Sequence, residues 1–239
     1  MSIWAEHVLP HGPLTALSPR LWHVTGSLKQ GPMPRTMTVW RMADGGLWLH
    51  SVVAMDDAGM AALAELGEPR IMVVPNGLHR MDCGAYKDRF PDLKVYAPAG
   101  ARVRVEKVVP CDGTVEENAA SWGVRVLAPD GLKRSEYIYE LDCGGVDAGP
   151  TIRAWVVGDQ LFHLDDLPGV TGWILKWIGS SGFFGISGIG RMLLLTDRRA
   201  FSSWLRLQAL HAPDILIPAH GKVVTENASA KLSEAADRL

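Results

Sequence analysis

Three side chains in this 239-residue sequence fall where chemistry collects in layered proteins. His79 comes shortly after the apolar run IMVV (71–74), Asp165 directly follows LFHL (161–164), and His220 follows ILIPA (215–219). Loops at strand ends carry binding and catalytic groups because the strand behind them is rigid. Two imidazoles and one carboxylate form a sound ligand set for a divalent metal, leaving positions open for water and substrate. Zinc is the favoured ion, with iron or manganese as alternatives. Spacing by itself is a weak signal, since a histidine after a strand is more often an ordinary hydrogen-bonded residue. A chain with no metal is therefore the competing expectation.

The elements that must carry these residues follow from patterning. MTVWRM (37–42) and GLWLHSVV (46–53) flank Asp44-Gly45, a strong hairpin signal. Asp56 or Asp57 can cap a helix to about Leu66, with Gly67 past its end. The wholly apolar run 71–74 reads as a strand buried on both faces. Strand, helix, strand in this order implies a right-handed crossover and a mixed or parallel sheet. A helix is expected over 80–90, then strands over 94–97, 124–128, 137–141, 152–157 and 160–164, the last two joined as a hairpin by Gly158-Asp159. Asp197 should cap an amphipathic helix to Leu210, followed by a short strand at 215–217 and a surface helix from about Ala228. Many strands with helices early and late favour one sheet-on-sheet domain spanning 1–239, covered by helices, over two independent units.

Composition narrows the function classes. With 47% hydrophobic and 21% charged residues, the chain resembles ordinary globular proteins and is long enough to bury a core without staples. A formal net charge of -2, with both signs mixed along the sequence, argues against a nucleic-acid-binding domain. Cys83, Cys111 and Cys143 are widely spaced and odd in number, which suits a reducing cytoplasm better than a disulfide framework. The first residues lack a basic region followed by an apolar stretch, so no signal peptide is expected. The apolar segment 170–195 is interrupted by Lys176 and Arg191, leaving too short a run to cross a bilayer. It reads as an apolar loop or short helices packed over a core or lining a cleft, and GISGIG (185–190) within it as a flexible cover over the site. His50 and His163 are expected to be structural strand residues.

DGGLWLHS (44–51), VVPNGLHR (73–80) followed by a helix and FPDLKVYAP (90–98), FHLDD (162–166) and the terminal IPAHG (217–221) together resemble the metallo-β-lactamase superfamily over roughly residues 21–224. The resemblance is closest to a branch with eroded ligand motifs. It implies an α+β fold, a four-layer αββα sandwich with two mixed sheets. The family's H-x-H-x-D-H loop falls on 74–79, where only His79 is retained; Val74 and Asn76 stand for the earlier histidines and Leu78 for the aspartate. The Pro-Gly-His histidine falls near Leu132, the bridging aspartate on Asp165 and the last histidine on His220.

By that alignment one metal site is lost, and the second keeps His79, Asp165 and His220 as ligands of a single metal. Leu78 removes a group that orients the attacking water, so a substitute base is needed, with Glu136 and Asp82 as candidates. Asn76 could offer a neutral ligand or hydrogen bond to substrate, and Arg80 could pair with an anionic one. The implied function is a metal-dependent hydrolase acting on a small ester, lactone, amide or phosphoester. The alternative is a non-catalytic binding or scaffold protein on the same fold, its 170–195 cover serving a hydrophobic ligand, a membrane surface or a second copy in a homodimer.

Overall fold

The computed structural model describes residues 3–31, 33–144, 151–166, 169 and 181–239. Part of the apolar cover, 170–180, lies outside the described residues. A short N-terminal helix α1 (Ile3–His7) precedes a seven-stranded sheet formed in chain order by β1 (Thr15–Ser18), β2 (Leu21–Gly26), β3 (Arg35–Arg41), β4 (Leu47–His50), β5 (Pro69–Val73), β6 (Lys94–Ala97) and β7 (Gly113–Thr114). The first four strands pair antiparallel and the last three connections are parallel. That switch has a local cause. The Asp44-Gly45 turn closes β3 onto β4, with Gly45 at φ 83° and Asp44 Oδ1 accepting from Gly46 N–H at 3.0 Å. The chain then needs a helix to return, and α2 (Asp57–Leu66), capped by Asp56, supplies it. Helices α3 (Cys83–Arg89), α4 (Ala99–Val105) and α5 (Val115–Asn118) follow.

A four-stranded sheet in the order β13-β10-β9-β8 is built from β8 (Arg125–Leu127), β9 (Ile138–Asp142), β10 (Arg153–Val157) and β13 (Ile215–Pro218). It too is mixed, since β13 runs parallel to β10 and β9 antiparallel to it. Helices α6 (Gly188–Leu194), α7 (Arg198–Ala209) and α8 (Ala228–Asp237) belong to this half of the chain.

Alternation along the strands sorts side chains into three apolar layers. Leu47, Leu49 and Met72 face Met60, Leu63 and Tyr86 under the first helices. Trp48, Ile71 and Val73 point the other way and meet Tyr139, Ala154, Val156 and Ile217 between the sheets. Trp155, Val157 and Leu216 face Phe201, Leu205, Leu232 and Ala236 on the far side. Helix, sheet, sheet, helix is the expected αββα order, with both main sheets mixed.

Two expectations are corrected. Segments 152–157 and 160–164 do not form a hairpin: β10 takes β9 and β13 as its neighbours, and β11 (Phe162–Leu164) pairs with β12 (Phe183–Gly185) in a separate ribbon. The reason is that Gly158 and Asp159 lead the chain out of the sheet, where the parallel strand β13 takes the open edge. The helix expected over 80–90 begins only at Cys83. Within GISGIG, Ser187 accepts from Gly190 N–H and starts α6, one of the short helices that the apolar segment could form.

Candidate metal centre

His79, Asp159 and His220 converge at the strand ends where the two sheets meet, and among the described residues their ligand atoms all lie within 4.8 Å of one another. Each is delivered by the end of a strand. The loop after β5 carries His79, and Asn76 folds it: its Oδ1 accepts from the backbone N–H groups of Leu78 (2.7 Å) and His79 (3.1 Å). Asp159 follows β10 after one glycine, and His220 follows β13, the parallel neighbour of β10.

His79 Nε2 stands 3.0 Å and His220 Nε2 3.2 Å from Asp159 Oδ1, and the two Nε2 atoms are 3.3 Å apart. The far side of each ring is held. Ser51 Oγ lies 2.8 Å from His79 Nδ1, and the Pro34 carbonyl lies 2.7 Å from His220 Nδ1. A carbonyl only accepts, so His220 Nδ1 carries a hydrogen, and the neutral ring presents a lone pair at Nε2. That lone pair faces a carboxylate and a second imidazole, an arrangement that a cation between the donors, or a proton on one Nε2, would satisfy. Tetrahedral zinc with bonds of about 2.0 Å would separate its ligand atoms by about 3.3 Å. The donor set fits a metal ion in chemistry and in size.

Without an ion, protons on the imidazoles take its place: burial would raise the Asp159 carboxyl, but the charge of His79 and the hydrogen bonds from His220 and His79 outweigh it and hold the group well below the usual carboxylate range. Glu136, behind it, goes the other way: burial and the negative charge of Asp159 push it well above its ordinary value, against the hydrogen bond from Asn76. Asn76 Nδ2 links the two, donating to Glu136 Oε1 and, at 2.9 Å, to Asp159 Oδ2. Every hydrogen-bonding capacity of the Asn76 side chain is thereby used.

Of the residues selected from sequence, His79 and His220 are brought together and Asp165 is not. Asp165 pairs with Lys222 Nζ at 2.7 Å, its side chain 60% exposed, against 14% for Asp159. It lines a cleft of about 470 Å³, together with Met33, Pro34, His163 and Leu164, which borders the cluster through Pro34 and Gly221. The missed residue, Asp159, had a signal. It follows an apolar strand as directly as the three chosen residues do, and reading Gly158-Asp159 as a hairpin turn concealed it.

The remaining candidates are placed elsewhere. Asp82 is fully buried and its carboxylate is taken up by Arg35 Nη2 (2.5 Å), Ala54 N–H (2.8 Å) and His7 Nδ1 (3.0 Å), which makes it a structural ion pair. Arg80 donates to the Arg104 carbonyl at 2.5 Å. Glu136 stands behind the cluster, bonded to the Asn76 amide and to the Asp159 backbone. Leu132, at the position expected for a further histidine, and Val74 are both buried in apolar layers. Leu78 is 71% exposed beside His79, and the Phe162 ring lies 4.9 Å from that of His220. His163 makes a structural contact, Nδ1 to the Lys222 carbonyl. His50 is buried, stacked on Trp48.

No protein-family model matches the sequence, and no curated protein does. Solved structures match over nearly the whole length. The metallo-β-lactamase FIM-1 from Pseudomonas aeruginosa, in a mono-zinc form, is 14% identical with a TM-score of 0.60, covering 97% of each chain. DIM-1 metallo-β-lactamase is 14% identical with a TM-score of 0.59, covering 96% of this chain and 99% of that one. A metallo-β-lactamase from Erythrobacter litoralis is 14% identical with a TM-score of 0.58, covering 95% and 96%. At such identity it is the architecture that is shared, and this chain has the metallo-β-lactamase fold.

Proposed function

We propose that this protein is a metal-dependent hydrolase holding one divalent ion, zinc favoured, between His79, Asp159 and His220. The observation that carries this reading is the triangle of donor atoms with sides of 3.0, 3.2 and 3.3 Å, one corner of which is a lone pair fixed by the Pro34 carbonyl. A mono-zinc state has a precedent on this fold in FIM-1. A divalent ion supplies Lewis acidity toward a carbonyl or phosphoryl oxygen and lowers the pKa of water.

The protein's own groups do the rest. Pro34 and Ser51 keep both imidazoles turned inward. Asn76 holds Asp159 Oδ2 so that Oδ1 faces the two histidines, while Glu136 accepts the other amide hydrogen. Phe162 packs against the His220 ring, and the cleft beside Pro34, walled by Met33, Pro34 and Leu164, has room for the non-reacting part of a small substrate. Such walls suit an ester, lactone or amide flanked by apolar groups.

Metal analysis and zinc titration of the purified protein test the site. The wild type should take up one equivalent; Asp159→Asn and His220→Ala should lose at least tenfold in affinity, and Asp165→Asn should behave as wild type. A wild type that takes up no zinc, iron or manganese defeats the proposal. Metal uptake without turnover of ester, lactone, amide or phosphoester panels would turn the reading to a binding protein.

A further inference from the structure

Ser51 sits at the end of β4 in a left-handed backbone conformation, φ 56°, and is 3% exposed. Glycine adopts this conformation freely, whereas a side chain with a Cβ does so at a cost. The other non-glycine residue of this kind among the described residues is Asn227, a type that tolerates it more readily. Strained backbone of this sort persists where the surrounding structure demands it, and it clusters at functional sites. Two contacts show what is demanded here. The Ser51 N–H donates to the Val73 carbonyl at 3.2 Å, tying it to the end of β5 from which the His79 loop departs. Its Oγ, 2.8 Å from His79 Nδ1, faces the back of the imidazole whose front enters the donor triangle.

We infer that Ser51 is a positioning residue for His79, an inference that rests on the metal-site reading above. An imidazole that gives Nε2 to a metal carries its hydrogen on Nδ1. Ser51 Oγ is placed to accept that hydrogen bond, which fixes the tautomer and stops the ring rotating. For His220 the Pro34 carbonyl does the same work. Partners of this kind behind a metal-binding histidine typically change affinity by about 10–100-fold when removed. The left-handed turn at Ser51 is what brings the hydroxyl under the ring, so the strain is retained for the sake of the contact.

Two substitutions separate the hydroxyl from the backbone. Ser51→Gly removes the hydroxyl and relieves the strain; Ser51→Ala removes the hydroxyl and leaves the strain. Zinc affinity by chelator competition should fall about 10–100-fold in both. The thermal midpoint of the metal-free protein should be at or above wild type for Ser51→Gly and below it for Ser51→Ala. In cobalt-loaded protein the visible absorption should change in both. A residue with a purely structural role would move the midpoints and leave affinity and spectrum alone. Wild-type affinity in both variants overturns the inference while leaving the metal site standing. A wild type that binds no zinc removes the metal site and this inference together.

Discussion

His50 is a titratable group enclosed by the core. Burial pushes its pKa down to about 3, with the charge of His79 adding to the shift and that of Asp159 opposing it. Its Nε2 has no hydrogen-bond partner among the described residues. Below the ordinary value of 6.5 the unfolded chain takes up a proton that the native one refuses. Stability should therefore fall as pH drops from about 6.5 toward 3, by up to about 1.4 kcal/mol per pH unit from this residue. Urea unfolding of wild type and His50→Leu at pH 7 and pH 5 checks this: the loss on acidification should be smaller in the variant, and equal losses would refute the assignment. Residue types at strand ends made His79 and His220 legible in the sequence. Asp159 carried the same kind of signal, but the hairpin reading of Gly158-Asp159 hid it, and choosing between it and Asp165 requires knowing which strand borders β13. Ser51 was beyond reach, since nothing local in HSVV announces a left-handed backbone.

At the scale of elements, the Asp82 carboxylate joins three of them. It receives Arg35 at the start of β3, His7 at the end of α1, and the Ala54 amide after β4, all from just ahead of α3. The Arg35 guanidinium is otherwise spent on the Ser27 and Val52 carbonyls. Removing one partner of such a pair strands a buried charge, so Asp82→Ala should destabilise by about 3–5 kcal/mol in denaturant titrations. Metal stoichiometry should stay at the wild-type value, which separates this role from catalysis. Helix α7 offers a smaller effect. Asp197 accepts from the N–H groups of Arg199 and Ala200, and Asp197→Ala should cost about 1 kcal/mol. That cap, the Asp56 cap and the Asp44-Gly45 hairpin were readable because each is enforced by residues close in sequence. The partners of β10 were not, since its strand neighbour β13 lies some sixty residues away and only long-range packing selects it.

For the whole molecule, the layer between the sheets decides how it unfolds. Trp48, Ile71 and Val73 from one sheet share that layer with Tyr139, Val156 and Ile217 from the other, so neither half keeps an apolar face covered alone. We expect one cooperative transition by calorimetry, with calorimetric and van't Hoff enthalpies equal; two separable transitions would show two domains. The four-layer order was legible because alternation along strands and stripes along helices are properties of sequence.

The seven-stranded sheet is laid down in chain order, each strand beside its predecessor, so the first half can assemble largely from nearby pieces as it emerges during synthesis. His79 belongs to that half. Asp159 and His220 belong to the other, and His220 follows the last strand in the chain. Ion capture would thus become a late event that only a finished molecule can perform, acting as a clasp across the seam between its two halves.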